Sequence, residues 1–173
     1  MDKVPQKILI TGIPGIGKTT VIQKVAKCLQ NMNPVGFYTG EIREKKSRVG
    51  FKAVSLGGGT QTLSHVQFGG SFRVGRYGVD VKGFEEFLEN LDLLKSQSDL
   101  VIIDEIGKME CLSAKFNALI VSLFESQKNI LATIAKKGGG MIQRIKNHPN
   151  CLIFEVQIKN RDKVVEDIVN RVS

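Results

Sequence analysis

The feature that most constrains this chain is the octapeptide Gly12-Ile13-Pro14-Gly15-Ile16-Gly17-Lys18-Thr19, which fits G-x-x-x-x-G-K-[ST] at every required position. The apolar run from Lys7 to Thr11 precedes it. Val21, Ile22, Val25, Ala26 and Leu29 follow at helical spacing, until Asn31, Asn33 and Pro34 end the pattern. Strand, glycine loop and helix together give the motif a mechanism. Glycines let the backbone curl so that its N–H groups converge on phosphate oxygens, close to a helix N-terminus whose partial positive charge favours anions. Lys18 is then expected to reach the β- and γ-phosphates of a nucleotide, and the Thr19 hydroxyl to bind Mg²⁺.

The rest of the chain alternates strand and helix around one exception. Val35 to Ile42 and Arg48 to Leu56 read as strands joined by the charged turn Arg43 to Ser47. Two weaker strands are expected at Leu63 to Phe68 and Phe72 to Gly75. Glycine density without helical period marks this β-rich stretch, about residues 36–80, as an inserted antiparallel meander. Phe84, Phe87, Leu88, Leu91 and Leu94 predict a helix, and Leu100 to Ile103 a strand buried on both faces. A helix capped by Ser113 should run through Phe116, Leu119, Ile120, Leu123 and Phe124, before a strand from Ile130 to Ile134. A short helix around Met141 to Ile145, a strand from Cys151 to Val156 and a helix capped by Asn160 complete the chain. The expectation is a single α/β domain spanning residues 1–173, a P-loop NTPase with a RecA-like, mostly parallel sheet flanked by helices.

A buried strand of such a sheet delivers polar residues at its C-terminal end, where ligands bind. Leu100 to Ile103 delivers Asp104 and Glu105. Asp104 is the expected second protein ligand of Mg²⁺, and Glu105 the candidate general base facing an in-line water. Thr133, at the tip of the strand expected between the P-loop strand and the metal-binding strand, is the candidate γ-phosphate sensor. Lys136 and Lys137 follow at the same sheet edge.

Lysine and arginine outnumber acidic residues by 25 to 17, a formal charge of +8 that suits a polyanionic ligand. The basic turn Arg43-Glu44-Lys45-Lys46-Ser47-Arg48 contains no aromatic residue, so nucleic acid is not the favoured partner. No run of eighteen apolar residues crosses a bilayer and no leader is recognisable, so a cytoplasmic monomer without a membrane partner is expected. Cys28, Cys111 and Cys151 show no metal-ligand spacing and read as small buried hydrophobes.

Asp104-Glu105-Ile106-Gly107-Lys108-Met109-Glu110 resembles the signature of the cancer-related nucleoside-triphosphatase family, small P-loop proteins also found in thermophiles. Gly36-Phe37-Tyr38-Thr39 with Glu41 and Arg43, Arg48-Val49-Gly50-Phe51, Arg73-Val74-Gly75, Ala132-Thr133-Ile134 and Asn160-Arg161-Asp162 match in order. The chain departs from the pattern at Gly40 and Ala135. The resemblance implies Mg²⁺-dependent hydrolysis of nucleoside triphosphates, ATP and GTP among them, with loose base selectivity. It also implies nucleotide contacts from Gly12 to Thr19, with Thr20 beyond them, and from Leu100, Val101, Ile102, Ile103, Asp104, Glu105, Ile106 and Gly107. Arg161 is the candidate contact to base or ribose.

Three other readings compete. A signalling GTPase would need an [NT]-K-x-D guanine-reading tetrapeptide, which does not occur. A small nucleotide or metabolite kinase would use the same loop and Mg²⁺, with the meander as acceptor site. A nucleic-acid-linked ATPase would show turnover stimulated by DNA or RNA and weakened by salt. The adjacent Asp104-Glu105 pair favours water as the acceptor.

Overall fold

The computed structural model describes residues 4–173. The strands are β1 (Lys7–Thr11), β2 (Val35–Glu44), β3 (Ser47–Ser55), β4 (Thr60–His65), β5 (Arg73–Val74), β6 (Tyr77–Val79), β7 (Leu100–Ile106), β8 (Asn129–Ile134) and β9 (Cys151–Glu155). The helices are α1 (Lys18–Cys28), α2 (Val81–Leu91), α3 (Ala114–Glu125), α4 (Met141–Lys146) and α5 (Arg161–Val172). All nine strands form one sheet in the order β5-β6-β4-β3-β2-β7-β8-β1-β9. From β2 to β9 the pairs are parallel, and β8 lies between β1 and β7 as the sequence predicts. Outward from β2 every pair is antiparallel. The meander is thus not a separate layer but an apron that continues the edge of the parallel sheet.

β2 belongs to both halves. Val35 to Phe37 pair in parallel with β7, and Phe37 to Glu44 pair antiparallel with β3. At the seam, Gly36 has φ +134°, and a Cβ there would stand 1.8 Å from the Ile102 carbonyl oxygen. No side chain fits that approach.

Strand alternation sorts the core into two layers. Leu9, Phe37, Val101, Ile103, Ile130 and Ala132 face α2, α3 and α4, where Phe37 makes edge contacts with Phe84 and Phe87. Ile8, Ile10, Leu100, Ile102 and Leu131 face α1 and α5. Helices cover both faces of the parallel part, which is why its strands read as unbroken apolar runs.

Several local expectations shift. Leu93, not Leu94, enters the core: α2 ends at Leu91 and Asp92 turns into the left-handed region at φ 44°, which breaks the helical period. The strand expected from Leu63 instead starts at Thr60, and Tyr77–Val79 forms a further strand that glycine-rich flanks conceal. Ser113 caps α3 as expected, its hydroxyl accepting from the Phe116 N–H at 2.9 Å. Asn160 precedes α5 but makes no side-chain cap to it. Its Oδ1 accepts from the Gln157 N–H at 2.7 Å and its amide donates to the Glu155 carbonyl, closing the preceding 3-10 turn. Cys28 is exposed rather than buried, because it falls on the solvent face of α1, and Cys111 and Cys151 are half-buried.

Lys7 opens the apolar run of β1 yet is 3% exposed. Its ammonium donates to the carbonyls of Leu123, Ser126 and Lys128, at 3.2, 2.8 and 2.5 Å, and closes the C-terminal end of α3. Burial lowers its pKa to about 8.

Candidate active site

The site lies at the C-terminal ends of β1, β7 and β8, beside the middle of β2. Gly15 and Gly17 have φ of +77° and +103°, values that L side chains rarely adopt, and Gly17 forms the N-cap of α1. The loop therefore curls over the first turn of α1 with its N–H groups unspent on side-chain caps, the arrangement that receives phosphate oxygens. Ile16 is buried beneath it, where its Cγ2 stands 2.8 Å from the place a Cβ on Gly12 would occupy. Gly12, Ile13, Pro14, Gly15, Gly17, Lys18 and Thr19 line one cleft with Asp104 and Glu105. Thr20 is exposed outside it.

Asp104 is 2% exposed and the hub of the site. Its Oδ2 accepts from the Thr19 hydroxyl at 2.7 Å, and from the N–H and hydroxyl of Thr39, each at 3.3 Å. Its Oδ1 accepts from the Thr133 hydroxyl at 2.5 Å. Burying a carboxylate is costly unless its lone pairs are met, and these four bonds meet them. The sequence places Thr133 as a γ-phosphate sensor. In the structure its side chain is wholly buried and its hydroxyl is committed to Asp104.

Glu105, the next residue along β7, turns toward the P-loop, and its Oε2 lies 4.0 Å from Lys18 Nζ. Lys18 also donates to the Gly12 carbonyl at 3.3 Å. Burial raises the Glu105 pKa above the usual carboxylate range. The Lys18 ammonium opposes that shift, and the Asp104 charge adds to it. A base that holds a proton more readily than a free carboxylate suits proton abstraction near neutral pH. Behind it, Glu110 is 4% exposed, and its pKa is pushed up to about 8 by burial and then by the charges of Glu105 and Asp104. Both carboxyls crowd Gly107, where a Cβ would meet Glu105 Oε1 at 2.7 Å and Glu110 Oε2 at 2.9 Å.

Leu100, Val101, Ile102, Ile103 and Ile106, placed at the nucleotide by the family resemblance, are fully buried and do not line the cleft. Their part is to hold β7 in register so that Asp104 and Glu105 emerge at its end. Arg161, at the start of α5, lies against the outer side of the P-loop, with its Nε 3.4 Å from the position of a Cβ on Gly17. That Nε is buried and has no hydrogen-bond partner among the described residues.

With this geometry in place, the sequence model of a family described as NTPase matches residues 7–169. The chain belongs to the NTPase family. It is 43% identical over 165 residues to the nucleoside-triphosphatase THEP1 of Thermotoga maritima, covering 95% of this chain and 94% of that one. The crystal structure of THEP1 from the hyperthermophile Aquifex aeolicus is similar with a TM-score of 0.85 at 33% identity, over 97% of this chain and 99% of the other. The solution structure of a human cancer-related nucleoside triphosphatase is similar with a TM-score of 0.80 at 34% identity, over 97% of each chain. Membership in the NTPase family agrees with the expected α/β P-loop fold and with the expectation of an enzyme that hydrolyses nucleoside triphosphates.

Sequence reasoning missed two features of this NTPase-family site. Thr39 belongs to the Asp104 shell, and nothing in its surroundings distinguishes it from an ordinary strand threonine. Arg48, Phe51, Val74 and Met109 line the same cleft as the P-loop, although Arg48, Phe51 and Val74 are borne on the apron. Among the described residues no helix is long and apolar enough to cross a membrane.

Proposed function

We propose that this chain is a Mg²⁺-dependent nucleoside triphosphatase of loose base selectivity, in which Glu105 prepares the attacking water. The observation that carries this reading is the convergence of Thr19, Asp104, Glu105 and Lys18 on one cleft, with Thr19 Oγ1 2.7 Å from Asp104 Oδ2 and Lys18 Nζ 4.0 Å from Glu105. Thr19 and Asp104 offer a hydroxyl and a carboxylate, the hard oxygen donors that suit Mg²⁺ when phosphate and water complete its shell. Among the described residues no cluster of three His, Cys, Asp or Glu side chains stands ready to hold a metal, in keeping with an ion that arrives with the nucleotide. Bound there, Mg²⁺ would neutralise charge on the β- and γ-phosphate oxygens.

Backbone N–H groups of Gly15 to Thr19 and the Lys18 ammonium hold the phosphates and stabilise the charge that develops on them. Thr133 and Thr39 fix the orientation of Asp104. Glu105 accepts the proton of the attacking water. Arg161, beside Gly17 with an unspent Nε, gives the nucleoside end a guanidinium surface for stacking and charge contacts. Contacts of that kind suit any base, and this supports loose selectivity.

The test is phosphate release from ATP, GTP, CTP and UTP with Mg²⁺ and with a chelator. Release from several triphosphates, lost in chelator and reduced about 10²–10⁴-fold in Glu105→Gln while nucleotide binding persists, is expected. Near-normal turnover by Glu105→Gln would remove Glu105 from the role.

A further inference from the structure

We propose that the cleft holds a second small-molecule site on the apron side of the γ-phosphate position, which binds a nucleoside monophosphate and lets its phosphate receive the γ-phosphoryl group. This rests on the placement of the triphosphate just proposed and assigns the remainder of the same cleft. The cleft has a volume of about 810 Å³ and extends from the P-loop across Asp104 and Glu105 to β2, β3 and β5. Small-molecule sites start at roughly 300 Å³, so there is room beyond a triphosphate tail. The sheet order sets the two ends apart. Arg161 follows β9, on one side of β1, whereas the apron starts beyond β7 on the other. A nucleoside directed toward Arg161 leaves the apron end to something else.

The chemistry of that end is specific. Phe51, Leu63, Val74 and Met109 give an apolar lining, with Arg48 and Lys108 at its rim. Arg48 lies over the Phe51 ring at 5.1 Å, donates to the Tyr77 hydroxyl at 3.0 Å and pairs with Glu41 at 3.0 Å. Arg76 braces the same hydroxyl at 3.2 Å and donates to the Arg48 carbonyl at 2.5 Å. Exposed ion pairs add little to stability, so this bracing does more to fix one guanidinium in place than to hold the fold. A fixed guanidinium next to an aromatic ring and an apolar floor, reinforced by Lys108, recognises a planar body that carries a phosphate. A mononucleotide has both. Lys137 lines the cleft as well and contributes positive charge where its phosphate would approach the γ-phosphate, whereas Lys136 is paired with Glu155 of β9.

The transfer balances without any further reactant. A phosphate oxygen of the monophosphate forms a bond to the γ-phosphorus, and the bond from that phosphorus to the β,γ-bridging oxygen breaks. Its electron pair stays on the departing diphosphate, and two nucleoside diphosphates result. A monophosphate dianion brings no proton to be removed, so this route does not need the base that water needs.

The experiment supplies the full-length protein with ATP, Mg²⁺ and, separately, GMP, CMP or UMP, and resolves the nucleotides by ion-exchange chromatography. Hydrolysis of ATP makes only ADP and phosphate, so GDP, CDP or UDP reports transfer. At least one of the three is expected from the wild type, persisting in Glu105→Gln. Arg48→Ala should reduce it about 10- to 100-fold, the scale of a lost charged hydrogen bond. The ratio of second diphosphate to released phosphate should fall with it, and an unchanged Tm shows that the variant is folded. Arg48→Lys, which keeps the charge, should recover part of the transfer. Absence of any second diphosphate from a wild type that still releases phosphate would overturn the proposal, as would transfer unaffected by Arg48→Ala. Inhibition by the monophosphates that is purely competitive with ATP would overturn it too, because they would then occupy the triphosphate's own place. Absence of phosphate release in all acceptor-free reactions would instead strike at the hydrolytic reading.

Discussion

Glu110→Gln is predicted to change the pH dependence of stability in a defined direction. The Glu110 carboxyl is buried behind Glu105, and its pKa is raised from 4.5 to about 8. The folded state therefore holds the proton more tightly than the unfolded state does. Stability from this group is fully present below pH 4.5 and is lost as pH rises through 8. At about 1.36 kcal/mol per unit, integration between pH 5 and pH 8 gives a loss of roughly 3–4 kcal/mol, an upper figure because water reaching the group would lower it. Above pH 8 Lys7 acts in the opposite direction, since its lowered pKa makes stability rise from about pH 8 toward 10.5. Glutamine keeps the shape and an acceptor oxygen but has no proton to lose. Urea unfolding in EDTA at pH 5, 6, 7 and 8, on wild type and variant, isolates the effect, because other carboxylates cancel in the difference. The variant should gain on the wild type by about 2–4 kcal/mol across the window. Parallel curves, agreeing within about 0.5 kcal/mol, would show that Glu110 is ionised in the native protein and that its burial does not set its charge.

Thr133→Val keeps the volume but withdraws the hydroxyl from Asp104. It should cost about 1–2 kcal/mol in unfolding experiments and raise the Mg²⁺ concentration needed for half-maximal turnover. Lys7→Met leaves three carbonyls at the end of α3 without their donor, with an expected loss of about 1–3 kcal/mol at pH 7 by urea titration. The same variant should lose the rise in stability between pH 8 and 10.5 that the wild type shows. Gly36→Ala, with its Cβ inside the contact distance of the Ile102 carbonyl, should cost about 3 kcal/mol or more and show as lowered soluble yield and Tm. A disulfide exchange reagent should modify Cys28 rapidly. Cys111 and Cys151, half-buried and with thiol pKa values pushed up to about 12 by burial, should react much more slowly than Cys28.

What the sequence made legible follows the reach of each signal. The parallel strands were readable because both their faces are covered, and a run such as Leu100 to Ile103 has no other explanation. The P-loop was readable because glycine spacing, lysine and threonine are dictated by one ligand. The apron was only partly readable. β5 has two residues and β6 three, too short for alternation to register. At the site, Asp104 and Glu105 announced themselves by lying at the end of a buried strand. Thr39 and Thr133 did not disclose their common target, because threonine is equally at home in any strand and their meeting on one carboxylate is a tertiary event. Lys7 gave no sign of its partner either: a charge at the start of a strand ordinarily reaches solvent, and here the end of α3 takes it in.

The double allegiance of β2 places a constraint on what can be altered in this molecule. Thr39 stands two residues past the last parallel pair of that strand, in the segment that pairs with β3, and it touches Asp104 through both its N–H and its hydroxyl. Successive side chains of a strand leave opposite faces, so a slip of one residue between β2 and β7 would turn the Thr39 hydroxyl away and present its neighbour in its place. The outer rim, β5 and β6, hangs from β4 and has no such tie. Insertions or deletions there alter the size and chemistry of the pocket wall and leave the carboxylate hub in place. One residue added or removed between Gly36 and Thr39 would put the hub itself out of register.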